Sequence, residues 1–244
     1  MNSLIPTMHG IIDRRMLINF RVKPAVVGKL LPSIFRPKLI NGWAMAGICL
    51  IRLKEIRPRG FPGSFGLTSE NAAHRIAVEW EDNSVKREGV FIPRRDTSSV
   101  LQSLAGGRVF TGVHHLADFE VRETGDSFFL HMRSRDDGAQ VLVDAHLASQ
   151  MTATSVFKSV GEASDFYARG SVGYSSTRAG NRWDGLELRT EGWRVEPLDV
   201  FTVKSSFFDD PRIFPAGTVE FDCGLLMRGI PHEWHVLPKM EKPA

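Results

Sequence analysis

Lys38-Leu39-Ile40-Asn41-Gly42-Trp43-Ala44-Met45 reads as two strand arms about a tight turn. Asn-Gly supplies the two positive-φ positions of a type I′ turn, whose twist suits antiparallel strands. The second arm runs on, apolar, to about Leu53. The same grammar recurs outward from this hairpin. Upstream, residues 11–22 have strand composition, clearest over 16–22. Pro24 stands where a first helical residue is tolerated. Val26, Val27, Leu30 and Leu31 then give a short helical face that Pro32 ends. Downstream, residues 58–66 form a Pro- and Gly-rich loop and residues 71–80 alternate as a strand. Glu81-Asp82-Asn83 turns the chain toward Val90-Phe91-Ile92, and Ala105-Gly106-Gly107 is a further turn. Residues 115–121, 128–133 and 141–147, separated by Thr124-Gly125-Asp126 and Asp136-Asp137-Gly138, read as a meander of antiparallel strands. Ser159 and Glu162 have capping-box spacing for a helix reaching about Ala168. Residues 186–188, 193–195, 201–203 and 219–226 are the remaining strand candidates. Many short strands with two or three short helices predict a mainly β, barrel-like fold.

Bulk properties narrow the classes. The chain has 244 residues, 42% hydrophobic and 24% charged, which fits a folded protein, and no linker or repeat divides it, so one domain over 1–244 is expected. Its formal net charge of +3 is scattered, and no basic run marks a nucleic-acid reader. The longest apolar run, residues 43–51, is too short for the ~20 residues of a membrane span, so no membrane partner is expected. No secretory leader is read. Only Cys49 and Cys223 occur, with Cys49 in an apolar run as a buried thiol, which fits a reducing cytoplasm rather than a disulfide framework.

The chemistry concentrates in Gly89-Val90-Phe91-Ile92-Pro93-Arg94-Arg95-Asp96-Thr97-Ser98-Ser99, a short apolar strand that stops at a proline and is followed by two adjacent cations. Adjacent guanidiniums repel and require an anion nearby. Asp96 is one candidate, and a bound carboxylate or phosphate is another, because Arg offers a planar fork of donors suited to such groups.

Several blocks resemble the uncharacterised YqjF-like family, a domain-of-unknown-function group of the acetoacetate decarboxylase-like superfamily. They include Asp13-Arg14-Arg15, Asn19-Phe20-Arg21-Val22, Asn41-Gly42-Trp43-Ala44-Met45-Ala46-Gly47, Arg57-Pro58-Arg59-Gly60 and Ser69-Glu70-Asn71-Ala72-Ala73-His74-Arg75. Pro93-Arg94-Arg95-Asp96-Thr97, Gly112-Val113-His114-His115 and Pro231-His232-Glu233-Trp234 complete the set. The resemblance implies a cone-shaped antiparallel β-barrel around a pocket and makes a homo-oligomer plausible. In decarboxylase members a Pro-Lys-Lys run supplies an imine-forming lysine, whose pKa a neighbouring cation lowers; that enzyme is the standard illustration of the effect. Here Arg94 falls where the imine lysine would be and Arg95 where its neighbour would be. Arg stays protonated at working pH, so Schiff-base decarboxylation is not expected.

The resemblance puts an acid near Glu70, which shares a strand face with His74. Glu70, His74 and His115 are therefore the candidates for proton transfer, and Arg21, Arg94, Arg95 and His114 for holding an anionic, carboxylate-bearing ligand. The chemistry would be lyase-like without an imine. In the rival reading the chain is a non-catalytic binding protein whose arginine pair belongs to a structural ion-pair network. His114 and His115 are adjacent, so at most one faces an interior. His131, His146 and His232-x-x-His235 lack zinc-ligand spacing, and the last two read as surface residues beside a tail. No metal and no cofactor are expected. There is no Gly-x-Ser-x-Gly elbow, P-loop or dinucleotide fingerprint, and Ser98 and Ser99 read as turn residues.

Overall fold

The computed structural model describes residues 6–62, 66–105, 112–180 and 182–241. The opening hairpin forms as its sequence dictates. Asn41 and Gly42 take φ of 48° and 82°, and β3 (Leu39–Ile40) pairs antiparallel with β4 (Trp43–Pro58). Around it lie β1 (Met8–Val22), α1 (Pro24–Gly28), β2 (Arg36–Pro37), β5 (Leu67–Asp82), β6 (Val85–Thr97) and α2 (Val100–Ala105). The meander is β7 (His115–Thr124), β8 (Ser127–Ser134) and β9 (Gln140–Leu147). Then come α3 (Val160–Ala168), β10 (Val172–Ser176), β11 (Arg182–Thr190), β12 (Glu196–Ser205) and β13 (Val219–Glu241). In α3 the Ser159 hydroxyl accepts the Glu162 N–H at 3.1 Å, while the Glu162 carboxylate accepts the N–H of Lys158, one residue before the cap, at 2.6 Å.

The strands close two rings that share one wall. The larger follows β6-β7-β8-β9-β12-β13-β1-β4-β5 back to β6. The smaller follows β6-β10-β11-β13 and returns through the same β1, β4 and β5. The chain is thus mainly β and close to a barrel. It is not wholly antiparallel, because β6 pairs parallel with both β7 and β10. Long connections after β6 and through α3 carry the chain back to the same end of the sheet, as parallel pairing demands.

Successive side chains on the shared wall go to opposite rings. Met16, Ile18, Ile48, Leu50, Ala72, Ile76 and Phe91 pack with Leu130, Met132, Val141 and Val143 of the meander. Leu17, Met45, Cys49, Ile51 and Ala77 pack with Ala163, Phe166 and Tyr167 of α3.

Four sequence expectations change. Pro93 does not end its strand; β6 continues to Thr97. Ile76 pairs with Phe91 and His74 with Arg94, so β6 advances three residues where β5 advances two. Pro93, with no N–H to give the ladder, sits in this bulge, where proline is tolerated within a sheet. Residues 193–195 join no strand. The strand expected at 219–226 extends to Glu241, because β1 and β11 both pair with it, so His232 is buried rather than on a surface tail. Of the turn expected at Ala105-Gly106-Gly107, Gly106 and Gly107 lie outside the described residues. No helix among the described residues is long and apolar enough to cross a membrane.

Candidate active site

A cavity of about 150 Å³ lies on the small-ring side of the wall. Ile51, Leu53, Leu188, Trp234 and Val236 give it apolar sides, and Arg15, Arg75, Arg95, Cys49, Asn71 and His114 bring polar groups to it. The bulge at Pro93 decides which arginine arrives. Before it, Val90 and Ile92 line the cavity; after it the alternation is reversed and Arg95 does so.

None of Arg15, Arg75 and Arg95 forms an ion pair with a carboxylate among the described residues. Arg95 donates from Nε to the Ser175 hydroxyl at 3.0 Å. Burial lowers its pKa to about 10, partly offset by the fields of Cys49 and Asp184, and it remains a cation at neutral pH. Gly112 makes room for it: at φ +79° a Cβ there would stand 3.2 Å from Arg95 Nε. Arg75 is 6% exposed, donates from Nη2 to Asn19 Oδ1 at 2.6 Å and lies 4.7 Å over the Tyr167 ring. Its Nε has no partner, and burial lowers its pKa. Arg15 donates from Nε to Cys49 Sγ at 3.2 Å and sits 5.4 Å over the Trp193 ring. Nδ1 of His114 is buried without a partner. Burial, and then the charge of Arg95, lower His114 to about 3.

The large-ring side holds the same residue types in a different state. Arg94 donates from Nε to Asp96 at 3.0 Å and from Nη2 to Asp136 and Ser134, each at 2.6 Å. Burial alone would raise Asp136, but bonds from Ser134, Arg94 and the Gly138 N–H outweigh it and hold the carboxyl low. His115 Nδ1 reaches the same carboxylate at 2.7 Å. Glu70 accepts from Arg52 and from Arg14, each at 2.5 Å, and Glu123 pairs with both arginines. His74 is fully buried against the Phe207 and Phe208 rings, with no hydrogen-bond partner on either nitrogen. Burial, then Arg94, lower it to about 4.

Of the residues expected at the site, the structure therefore brings Arg95 and His114 to the cavity. Glu70, His74, Arg94 and His115 stand on the opposite face of the wall or at its edge. Arg21 pairs with Glu220 at 2.5 Å and with Asp222 at 3.7 Å. Asp96 borders the cavity, but its carboxylate is turned to Arg94. Sequence reasoning missed Arg15, Arg75 and Cys49 as cavity groups. Their signal was parity with Leu17, which paired strands place beside Cys49. Among the described residues no group of three or more His, Cys, Asp or Glu could hold a metal ion.

Residues 12–219 match the model of DUF2071, described as an uncharacterized conserved protein. The chain belongs to this family. No curated protein matches it in sequence. Solved structures with a similar fold include an acetoacetate decarboxylase, an acetoacetate decarboxylase-like enzyme and an enzyme of enduracididine biosynthesis. The enzyme from Legionella pneumophila has a TM-score of 0.61 at 10% identity, over 98% of this chain and 88% of that one. An acetoacetate decarboxylase-like enzyme from Sphingomonas wittichii has 0.58 at 11%, over 98% and 93%. The enduracididine biosynthesis enzyme MppR, complexed with pyruvate, has 0.60 at 12%, over 99% and 92%. At such identities the likeness establishes that this DUF2071 chain has the acetoacetate decarboxylase-like fold.

Proposed function

We propose that the chain binds a small, carboxylate-bearing organic molecule in the small-ring cavity and acts on it without forming an imine. The carrying observation is the set of guanidiniums at Arg15, Arg75 and Arg95, which face the cavity with no carboxylate partner among the described residues. Arg75 is buried and Arg15 and Arg95 are partly so; charges withdrawn from water are ordinarily paired, so a ligand is the natural counter-ion. The pyruvate held by MppR supports this ligand class.

No lysine is among the described residues that line the cavity, and an arginine cannot become the neutral amine that imine formation needs. The residues support an acid–base step instead. Arg95 and Arg75 hold the carboxylate through charge-assisted bonds. His114, neutral when the cavity is empty, receives a proton from a carbon next to the carboxylate or carbonyl. A bound anion beside it raises its basicity toward that task. The guanidiniums stabilise the enolate that forms.

Thermal unfolding and titration calorimetry with small keto acids, on wild type and R95M, test the binding. Stabilisation of the wild type, abolished in R95M, is expected; equal stabilisation of both would remove the cavity from consideration. Borohydride trapping with acetoacetate, read by intact mass, tests the chemistry. A stable adduct would overturn the imine-free reading.

A further inference from the structure

We infer that the ligand is a dianion of the dicarboxylate class, its two carboxylates anchored at different arginines of the cavity wall; this rests on the anion-binding reading above.

The first argument is charge. Arg15, Arg75 and Arg95 all reach the cavity. Asp184, whose field reaches Arg95, is already engaged by the Gly112 N–H at 3.1 Å and by Lys239 at 3.1 Å. A monocarboxylate would offset one of the three cations, whereas a dianion offsets two; the penalty on an unpaired charge is greatest at Arg75, which is buried, and smaller at the partly buried Arg15 and Arg95.

The second argument is spacing. Strand register puts Arg75 beside Gly47, Arg95 beside Ala73, Ala73 beside Cys49, and Arg15 beside Ile51. The side chains are therefore rooted along the wall from the level of Gly47 to that of Ile51, a span of roughly 13 Å at about 3.3 Å per residue. Nη2 of Arg75 is bonded to Asn19 and Nε of Arg15 to Cys49, so the two arginines are tied to different partners on the wall. A single carboxylate offers two oxygens at one point. Two carboxylates on a short carbon chain match cations rooted apart on three strands, β1, β5 and β6, each carboxylate pairing with a different guanidinium.

The third argument is size. A cavity of about 150 Å³ accepts a molecule near benzene in bulk, about six to ten non-hydrogen atoms. A four- or five-carbon dicarboxylate has that size, and Ile51, Ile92 and Leu188 suit its methylenes. A phosphate group carries the same charge at a single point and does not use the spread.

Titration calorimetry on the full chain with succinate, glutarate, butyrate and inorganic phosphate tests this in wild type, R15Q and R15K. Succinate or glutarate is expected to bind about tenfold or more tighter than butyrate, the return on a second charge-assisted contact. R15Q is expected to erase that preference, and R15K, which keeps the charge but not the fork, to retain part of it. Equal affinity for butyrate and both diacids in wild type would overturn the inference. So would phosphate binding more tightly than either diacid, or a preference unchanged in R15Q. Should R15Q fail to fold, an unchanged preference in R15K overturns it in the same way. Butyrate binding without a diacid preference refutes only the dicarboxylate class; binding of none of the four refutes the anion-binding reading itself.

Discussion

The two faces of the shared wall carry nearly the same residue types and treat them in opposite ways. Arg14 and Arg94 face carboxylates at hydrogen-bonding distance; Arg15 and Arg95, one residue later in each case, line a cavity and pair with no carboxylate among the described residues. His115 contacts Asp136, whereas Nδ1 of its neighbour His114 has no partner. A cation closed off by carboxylates belongs to the architecture. A cation left open in a cavity is maintained against its own desolvation, and this is the ground on which ligand binding is proposed. The adjacent arginines of the Pro93 motif thus part company, Arg94 ion-paired with Asp96 and Asp136 and Arg95 lining the cavity.

The sharpest way to break this contrast is to truncate one member of each face. R14A removes a 2%-exposed cation from Glu70 and Glu123, which keep Arg52 as a partner, and is expected to lower stability by about 1.5–3 kcal/mol, read by urea unfolding. R95M removes an uncompensated cation and is expected to leave stability unchanged or raise it by about 1–2 kcal/mol, while abolishing ligand stabilisation. Matching losses in the two variants would erase the distinction.

Acidity sharpens the comparison at smaller scale. His74 and His114 are held to about 4 and about 3 in the folded chain, below the ordinary value near 6.5. The unfolded chain therefore binds more protons below about pH 6.5, so stability falls from there toward pH 4, by up to about 1.4 kcal/mol per pH unit for each imidazole. H74F is expected to flatten part of this decline whether or not ligand is present. A saturating carboxylate is expected to flatten only the part due to His114. Equal ligand sensitivity of the slope in wild type and H114F would show that His114 does not sense the cavity's occupant.

The smallest effect belongs to the rim. Arg21 and Glu220 are 20% and 49% exposed, and E220A is expected to change stability by less than about 1 kcal/mol without altering ligand affinity. A change in calorimetric affinity would connect that rim pair to the cavity.

Local rules carried much of the fold. Asn41-Gly42, Pro24, the Ser159–Glu162 spacing and the meander turns each act over a few residues, and each is where the sequence put it. The two-ring closure was not legible, because the parallel pairings of β6 depend on how long connections return in space. The short β10, Val-Gly-Tyr-Ser-Ser, has too little alternation to announce a strand. The site was half legible for a sharper reason. Strand alternation tells which residues share a face only while the count is unbroken, and a bulge adds one to it. With Pro93 read as a strand end, nothing indicated that Arg95, not Arg94, would continue the face of Ile92.

The smaller ring is closed very unevenly. β11 is zipped to β13 from Arg182 to Thr190, but β10 meets β6 only at Gly173–Val90 and Tyr174–Phe91. Gly89 lets the backbones approach there: a Cβ on it would stand 2.5 Å from the Val172 carbonyl oxygen. The Tyr174 ring is held against Trp80 and Phe35 at 5.5 and 5.9 Å. Local opening takes least free energy where fewest hydrogen bonds and contacts must break together. Thermal breathing of the cavity is thereby directed to this seam, and the amides of Gly173 and Tyr174 should exchange with solvent before those of β11.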